Sequence, residues 1–177
     1  PPKAARDLLV ATIALKYTQS NSIAFALDGQ TIGVGAGQQN RLACTDIAGT
    51  KSEFWYLRQH PTVLDFKFRK GPKRSDKINA IESYLKGDMT IEERRAWEAN
   101  FETVPEPLST DAKQEWLSGL DNVALSSDAF IPFRDNIDRA QKSGVKYVIQ
   151  TSGSIQDDSV TAAADEYGMV MVFSGAR

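Results

Sequence analysis

The polar side chains with the types needed for ligand chemistry fall into three short segments, each placed after a predicted strand. They are residues 126–136, 152–154 and 174–177. Ligands of open parallel sheets bind beyond the carboxyl ends of the strands, where the connecting loops gather. If these strands are parallel, carboxylate, hydroxyl, aromatic and guanidinium groups meet at one edge of the sheet. The guanidinium of Arg177 is suited to a phosphate, so the pattern predicts a ligand site at that edge.

Each segment also has a purely structural interpretation. Asp135 and Asn136 are of the types that N-cap a helix, and a helical pattern follows them. Residues 152–154 form a small polar turn of a kind that is common between elements. Phe130 and Phe133 flank a proline and are of a type usually found in the core. The residues alone leave these alternatives open.

The composition excludes several enzyme classes. The chain has one histidine, His60, and one cysteine, Cys44. Zinc-dependent deamination needs a His/Cys/Cys cluster, so no metal site is predicted. Triad chemistry would have to use His60, which precedes a proline and has no neighbouring nucleophile, so we expect it to have a loop or packing role. Cys44 lies in a helical pattern and is expected to be buried.

The length and charge set the class of protein. A chain of 177 residues with 41% hydrophobic residues is long enough for one globular domain. A net charge of −2 gives no overall field that attracts nucleic acid or an anionic membrane. A lone cysteine fits a reducing, cytoplasmic setting, and no signal peptide or membrane span is expected. Both ends of the chain have the composition of cut ends.

Periodicity predicts the elements that position these segments. Helical patterns cover residues 4–19, 42–57, 78–85, 91–101, 112–120, 136–143 and 160–167, and strand patterns cover 23–27, 31–35, 123–125, 145–149 and 169–173. The Asp28-Gly29 pair predicts a hairpin between the first two strands. The charged stretch at about 73–120 predicts a helical insertion, and the strand-loop-helix units at about 121–177 predict parallel strands covered by helices. The fold class is therefore α/β.

Gly33, Gly35 and Gly37 alternate along one strand and clear one of its faces for the approach of a backbone or a ligand. Their spacing is not that of a dinucleotide-binding fingerprint, and no strand-turn-helix surrounds them. The motifs alone indicate only a small-molecule or nucleotide-binding α/β domain.

Longer segments carry a more specific resemblance. They are VATIALKYTQSNS at 10–22, IGVGAGQQNR at 32–41 and SSDAFIPFRDN at 126–136. They resemble the transformylase domain of the bifunctional purine-biosynthesis family that joins aminoimidazole-carboxamide ribonucleotide (AICAR) formyltransferase to IMP cyclohydrolase. The resemblance covers the chain from end to end and corresponds to the C-terminal half of that domain. It implies a cytidine-deaminase-like layered sheet with helices on both faces, in a cytosolic homodimer.

The resemblance also implies roles for individual residues. Asn21 corresponds to a residue that contacts AICAR and positions its weakly nucleophilic amine, which makes it the candidate catalytic residue. The implied substrate-binding residues are Asn21, Arg41, Phe130 and Arg177, and the implied folate-binding residues are Leu42, Asp135, Ser154 and Ile155.

The implied reaction is formyl transfer from 10-formyltetrahydrofolate to the amine of AICAR, with no metal. It needs a base for the attacking amine and donors for the developing oxyanion. In the family a Lys-His pair supplies much of this from the other transformylase half, and His60 does not match that histidine. We therefore expect the chain alone to bind ligands without catalysis. The alternative is a non-catalytic nucleotide- or folate-binding module, or an interaction module.

Overall fold

All the predicted strands and helices are present in the computed structural model, which describes residues 1–175. The chain forms two compact units. The first contains residues 1–53 and the chain from residue 118 onward, and the second contains residues 54–117. In the order of the chain, the second unit is thus inserted within the first, and the charge pattern predicts a helical insertion at about 73–120.

The first unit contains the sheet. Its elements are α1 (Pro2–Leu15), β1 (Ser22–Leu27), β2 (Gln30–Ala36), α2 (Arg41–Leu57, whose last residues belong to the second unit), β3 (Val123–Ser127), α7 (Asp135–Gln141), β4 (Val145–Thr151), α8 (Asp157–Glu166) and β5 (Val170–Ser174). The second unit contains α3 (Pro61–Leu64), α4 (Arg74–Lys86), α5 (Ile91–Glu98) and α6 (Thr110–Leu117).

The five strands form one mixed sheet in the order β2-β1-β3-β4-β5. β3, β4 and β5 are parallel, as the strand-loop-helix pattern predicts. β1 is antiparallel to both β2 and β3. The predicted hairpin turn is confirmed, because Asp28 and Gly29 have φ angles of 52° and 83°, the left-handed values that a two-residue hairpin turn requires.

A buried carboxylate ties this turn to α1. Asp7 is 3% exposed, and its two oxygens accept hydrogen bonds from the backbone N–H groups of Asp28 at 2.9 Å and Gly29 at 2.7 Å. Arg6 Nε donates to the same carboxylate at 3.1 Å. A buried carboxylate is costly unless its oxygens are paired, and here the turn and Arg6 pair them.

Helices cover both faces of the sheet. Val34 packs against the cluster that α1 forms with β1. Side chains alternate between the faces along a strand, so Gly33 and Gly35 face the other side, where they meet α2. A Cβ atom on Gly33 would lie 2.0 Å from the Ala48 carbonyl oxygen, and one on Gly35 would lie 2.2 Å from that of Cys44. The glycines therefore admit the backbone of a helix, which is one of the two approaches that their spacing predicts.

The second unit is built on aromatic packing. Tyr84, Trp97 and Phe101 are buried, and Phe66 packs edge-on against Tyr84 and Phe101 with ring centroids 4.9 and 5.5 Å apart. His60 has a structural role in this unit, as expected. Its Nδ1 accepts from the backbone N–H of Thr62 at 3.1 Å and caps α3.

Candidate functional site

The predicted site residues in the described chain lie at one edge of the sheet. The parallel strands β3, β4 and β5 all end there, and the loops with Phe130, Asp135, Ser154 and Ile155 follow β3 and β4. Because β1 is antiparallel to β3, with Ile23 opposite Ser127, the residue before β1, Asn21, comes to the same edge. Arg177 lies outside the described residues.

Arg41 is the centre of a polar cluster at this edge. It is the first residue of α2 and is only 7% exposed. Its Nη1 donates to Asp128 Oδ1 and, at 3.0 Å, to Ser127 Oγ. Its Nη2 donates to Asn21 Oδ1 at 2.8 Å. Since a guanidinium carries its donors in a rigid fork, Arg41 fixes three chain segments relative to one another.

The carboxamide of Asn21 is held at both ends. Its oxygen accepts from Arg41, and its Nδ2 donates to the Gln38 carbonyl at 3.0 Å. The backbone carbonyl of Asn21 accepts from Cys44 Sγ at 3.0 Å. Cys44 is buried, as expected, and burial raises the pKa of its thiol, so the group stays protonated at neutral pH. The Asn21 amide is therefore preorganised, and its oxygen keeps a second lone pair.

Asp128 is the anion of the cluster. Burial alone would raise the pKa of its carboxyl group, but hydrogen bonds from Ser20, Arg41 and the Ser22 N–H outweigh burial, and the pKa lies below its ordinary 3.8. The carboxylate is therefore charged at neutral pH and offsets the charge of Arg41. The sequence places Asp128 in the loop but gives no sign that it pairs with Arg41, because the two residues are 87 positions apart.

The loop after β3 presents two aromatic rings to solvent. Phe130 is 39% exposed and Phe133 is 60% exposed, so the core interpretation of these residues is wrong. Gln150 of β4 is completely buried and accepts from the backbone N–H of Ile131 at 2.6 Å. Because this hydrogen bond holds the loop against the sheet at Ile131, the rings of Phe130 and Phe133 on either side are left exposed.

Asp135 and Asn136 begin α7, but neither is its N-cap, which is Arg134. The carboxylate of Asp135 is exposed and accepts from Asn136 Nδ2 at 2.8 Å. Asn136 is 1% exposed, and its oxygen lies 2.9 Å from Thr45 Oγ1 of α2. The capping interpretation is therefore wrong for both residues.

The turn after β4 is organised by Asp157, the first residue of α8. One oxygen of its carboxylate accepts from the backbone N–H groups of Gly153 at 2.8 Å and Ser154 at 3.2 Å. Ile155 is fully exposed. Leu42 of α2 is half-buried beside Arg41. These residues share the edge with the Arg41 cluster without a hydrogen bond to it.

A cavity of about 280 Å³ adjoins the cluster on the α1 face of the sheet. Its lining includes Thr12, Lys16, Ser126 and Asp128, and Thr12 Oγ1 lies 3.0 Å from Ser126 Oγ. Sequence reasoning missed Thr12 and Lys16, although their spacing of four residues places them on one face of α1. A larger open groove of about 590 Å³ lies in the second unit, but it contains none of the predicted residues.

Among residues 1–175, no group of three His, Cys, Asp or Glu side chains is arranged to hold a metal ion. Within the same residues, no helix is both long and apolar enough to cross a membrane.

The first unit is thus an α/β domain with a buried polar cluster and an adjoining cavity at one edge of its sheet. A protein-family model described as AICARFT/IMPCHase bienzyme matches residues 1–51. The chain is also similar to the bifunctional purine biosynthesis protein PurH of Xylella fastidiosa. For strain 9a5c the identity is 33% over 172 residues, which cover 97% of this chain and 21% of that protein. For strain M12 it is 32% over 175 residues, which cover 99% and 22%.

Both comparisons confirm the predicted resemblance to the bifunctional purine-biosynthesis family. The chain spans about one fifth of the length of the curated relatives that it matches. The segment matched by the family model holds Asn21, Arg41 and Leu42, so the centre of the cluster lies inside it.

Proposed function

We propose that this chain supplies nucleotide- and folate-binding residues for formyl transfer from 10-formyltetrahydrofolate to the amine of AICAR, a step of purine biosynthesis. The similarity to PurH proteins along 97% of the chain supports the reaction. The observation that carries the proposal is the Asn21–Arg41 pair, because it holds an amide in a fixed orientation at the edge where the ligand loops gather.

Asn21 has the geometry to position the attacking amine. Arg41 uses one lone pair of the Asn21 oxygen, which leaves the second lone pair to accept from an N–H of the AICAR amine. That bond would hold the nitrogen lone pair toward the formyl carbon, and holding reactants in an attack geometry lowers the barrier to reaction. Phe130, exposed beside the cluster, offers an apolar wall for the nucleotide.

The folate-binding part of the proposal rests on the exposed groups of the same edge. The Asp135 carboxylate can accept from N–H donors of the folate, and the ordered turn at Ser154 and Ile155 offers backbone and apolar contacts. Arg177, which follows β5 in the chain, is proposed for the phosphate of the nucleotide. No metal takes part in this scheme.

The base and the oxyanion donors are proposed to come from a part of the protein that this chain lacks. His60 is the only histidine, and its Nδ1 already accepts a hydrogen bond as the cap of α3. Arg41 is buried and paired. The chain alone is therefore expected to be catalytically silent.

Exposed apolar surface supports a protein partner for this chain. Leu9, Ile13 and Tyr17 are 59%, 50% and 82% exposed and recur every four residues along α1 and its continuation. Val170 and Val172 are exposed on the edge strand β5. Such surface favours burial against another protein, and we assign it to the missing transformylase half, within a cytosolic homodimer.

Calorimetry tests the proposal. AICAR and tetrahydrofolate are titrated into the chain, alone and mixed with a PurH protein from which the matching segment has been deleted. We expect both ligands to bind the mixture and Asn21→Ala to abolish AICAR binding. In a separate assay with 10-formyltetrahydrofolate as the formyl donor, we expect transfer to AICAR to occur only in the mixture. The matched control is Asn79→Ala, an exposed amide of α4. Binding without transfer in the mixture favours the non-catalytic module, and absence of AICAR binding contradicts the proposal.

A further inference from the structure

A buried polar contact joins the two halves of the candidate site. Thr45 follows Arg41 by one turn of α2 and is completely buried. Its Oγ1 lies 2.9 Å from Asn136 Oδ1 on α7 and 3.1 Å from the Arg41 carbonyl. Asn136 in turn donates from Nδ2 to the Asp135 carboxylate at 2.8 Å. A continuous path of polar groups thus runs from the nucleotide side to the folate side.

The orientation of the Asn136 amide is fixed by its surroundings. Nδ2 faces two acceptors, the Asp135 carboxylate and, at 3.3 Å, the Phe133 carbonyl. A flipped amide would put its oxygen 2.8 Å from the Asp135 carboxylate and 3.3 Å from the Phe133 carbonyl, and these acceptor oxygens would repel one another. The oxygen must therefore face Thr45, whose hydroxyl is the donor that satisfies it.

The Asp135 carboxylate depends on this contact for its position. Its carboxylate is exposed, and Asn136 Nδ2 is the only hydrogen-bond partner that it has among the described residues. An exposed carboxylate with one partner takes its orientation from that partner. Asn136 is itself held by Thr45 of α2. The position of α2 therefore affects the Asp135 carboxylate through two hydrogen bonds, Thr45–Asn136 and Asn136–Asp135.

We infer that Thr45 and Asn136 are positioning residues that hold the Asp135 carboxylate for the N–H donors of the folate co-substrate. This inference rests on the proposed function, because Asp135 needs a fixed orientation only if it receives a ligand. Neither residue touches the ligand in this scheme. The affinity for folate is therefore set partly by a hydroxyl group on the helix that begins at Arg41.

Two substitutions of Thr45 test the inference in the same mixture used above. Thr45→Val keeps the shape of the side chain and removes the hydroxyl, whereas Thr45→Ser keeps the hydroxyl. We expect Thr45→Val to weaken tetrahydrofolate binding about tenfold, as the loss of one buried hydrogen bond implies, without a change in AICAR binding. Thr45→Ser is expected to retain the affinity of the unmodified protein for both ligands.

A double-mutant cycle separates positioning from general destabilisation. With Asp135→Asn already present, Thr45→Val should weaken tetrahydrofolate binding much less than it does alone, because the carboxylate that it positions is gone. If Thr45→Val does not fold, Asn136→Asp replaces it. This variant puts a second carboxylate beside Asp135 and should weaken folate binding selectively.

The outcomes are distinguishable. Absence of tetrahydrofolate binding by the unmodified mixture would contradict the proposed function itself. If that mixture binds both ligands, the inference is overturned when Thr45→Val matches the unmodified protein, when it weakens both ligands equally, or when Thr45→Ser loses as much affinity as Thr45→Val.

Discussion

The two units of the molecule bury opposite kinds of side chain. The buried polar and charged residues of the described chain all lie in the first unit: Asp7, Ser22, Arg41, Thr45, Ser52, Ser126, Ser127, Asn136, Ser143 and Gln150. The buried cluster of the second unit is apolar and aromatic: Leu57, Val63, Ala80, Tyr84, Leu85, Trp97 and Phe101. Both units are packed, but only the first carries a network of polar groups in its interior.

Because of this difference, the two units are expected to contribute differently to stability and to ligand binding. An apolar core needs only complementary shape, and it tolerates substitution as long as volume is kept. A buried polar network costs free energy unless every member is paired, so a fold that contains one holds those groups in defined positions. In this chain Arg41, Ser127 and Asn136 lie at the edge with the candidate site, whereas Asp7 lies at the hairpin turn, at the other end of β1. Substitutions in the first unit should therefore disturb ligand binding as well as stability, whereas those in the second unit should disturb stability alone.

Removal of Arg41 should have the largest effect. Arg41→Ala leaves the Asp128 carboxylate buried without its cation, and we expect a loss of about 3–5 kcal/mol in the free energy of unfolding together with loss of AICAR binding. Amide hydrogen exchange at β1 and β3 measures the loss in the first unit. The control is Lys3→Ala in the same unit, which breaks an exposed pair with Asp28 and should cost less than about 1 kcal/mol. Equal losses for the two variants would contradict the importance of the buried pair.

Truncation of Phe101 should destabilise the second unit alone. Phe101 is 1% exposed and contacts Phe66, Phe68 and Trp97, so Phe101→Ala should cost about 3–5 kcal/mol and leave ligand binding unchanged. The three tryptophans are at positions 55, 97 and 116, all in the second unit, so their fluorescence during urea unfolding follows that unit. Leu64→Ala, at a site 72% exposed, is the control. Loss of AICAR binding in Phe101→Ala would contradict the separation of the two units.

A methyl group on Gly33 should have an intermediate effect. Its Cβ would meet the carbonyl oxygen of Ala48, and a helix backbone cannot move aside as a side chain can. We expect Gly33→Ala to cost about 1–3 kcal/mol and to weaken AICAR binding, since α2 carries Arg41. Thr31→Ala, at an exposed position of the same strand, should change neither quantity. If Gly33→Ala left the free energy of unfolding unchanged, close packing of α2 against the glycines would not be needed for stability.

The smallest effect should be a dependence on pH. The pKa of Asp128 in the folded protein lies below its ordinary 3.8, so its contribution to stability is complete above that value. The contribution is lost as the pH falls through the folded-state pKa, because the unfolded chain takes up the proton first. Urea midpoints measured across this range should fall less steeply for Asp128→Asn than for the unmodified chain. Parallel curves would show that Asp128 does not contribute.

Local patterns predicted the elements well, and long-range contacts account for what was missed. The Asp28-Gly29 turn forms as predicted because an Asp-Gly pair adopts positive φ angles readily from its own residue types. The roles of Asp128, Thr45 and Asn136 were missed because each bonds to a residue distant in the chain. Thr45 and Asn136 are 91 positions apart, and no periodicity relates them.

The aromatic pair shows a second limit. Phe130 and Phe133 are of a type usually buried in the core, but both are exposed. The buried side chain of Gln150 hydrogen-bonds the backbone at Ile131, between them, and holds that part of the loop against the sheet. The proposed roles of Asn21, Arg41 and Asp135 come from resemblance rather than pattern, and they stay predictions. What the fold adds is that Asn21 and Arg41 are in direct contact.

The hydrogen bonds between Asp7 and the hairpin turn join residues that are close in the chain. Asp7 and Gly29 are 22 positions apart, whereas Ser22 and Asp128, which join β1 to the loop after β3, are 106 apart. Closing the shorter loop costs less chain entropy, and local contacts form faster than distant ones. We therefore expect α1 and the hairpin to associate early in folding. The edge of β1 that is still unpaired at that stage would then be the strand to which β3 pairs, once the chain of the second unit has been synthesised.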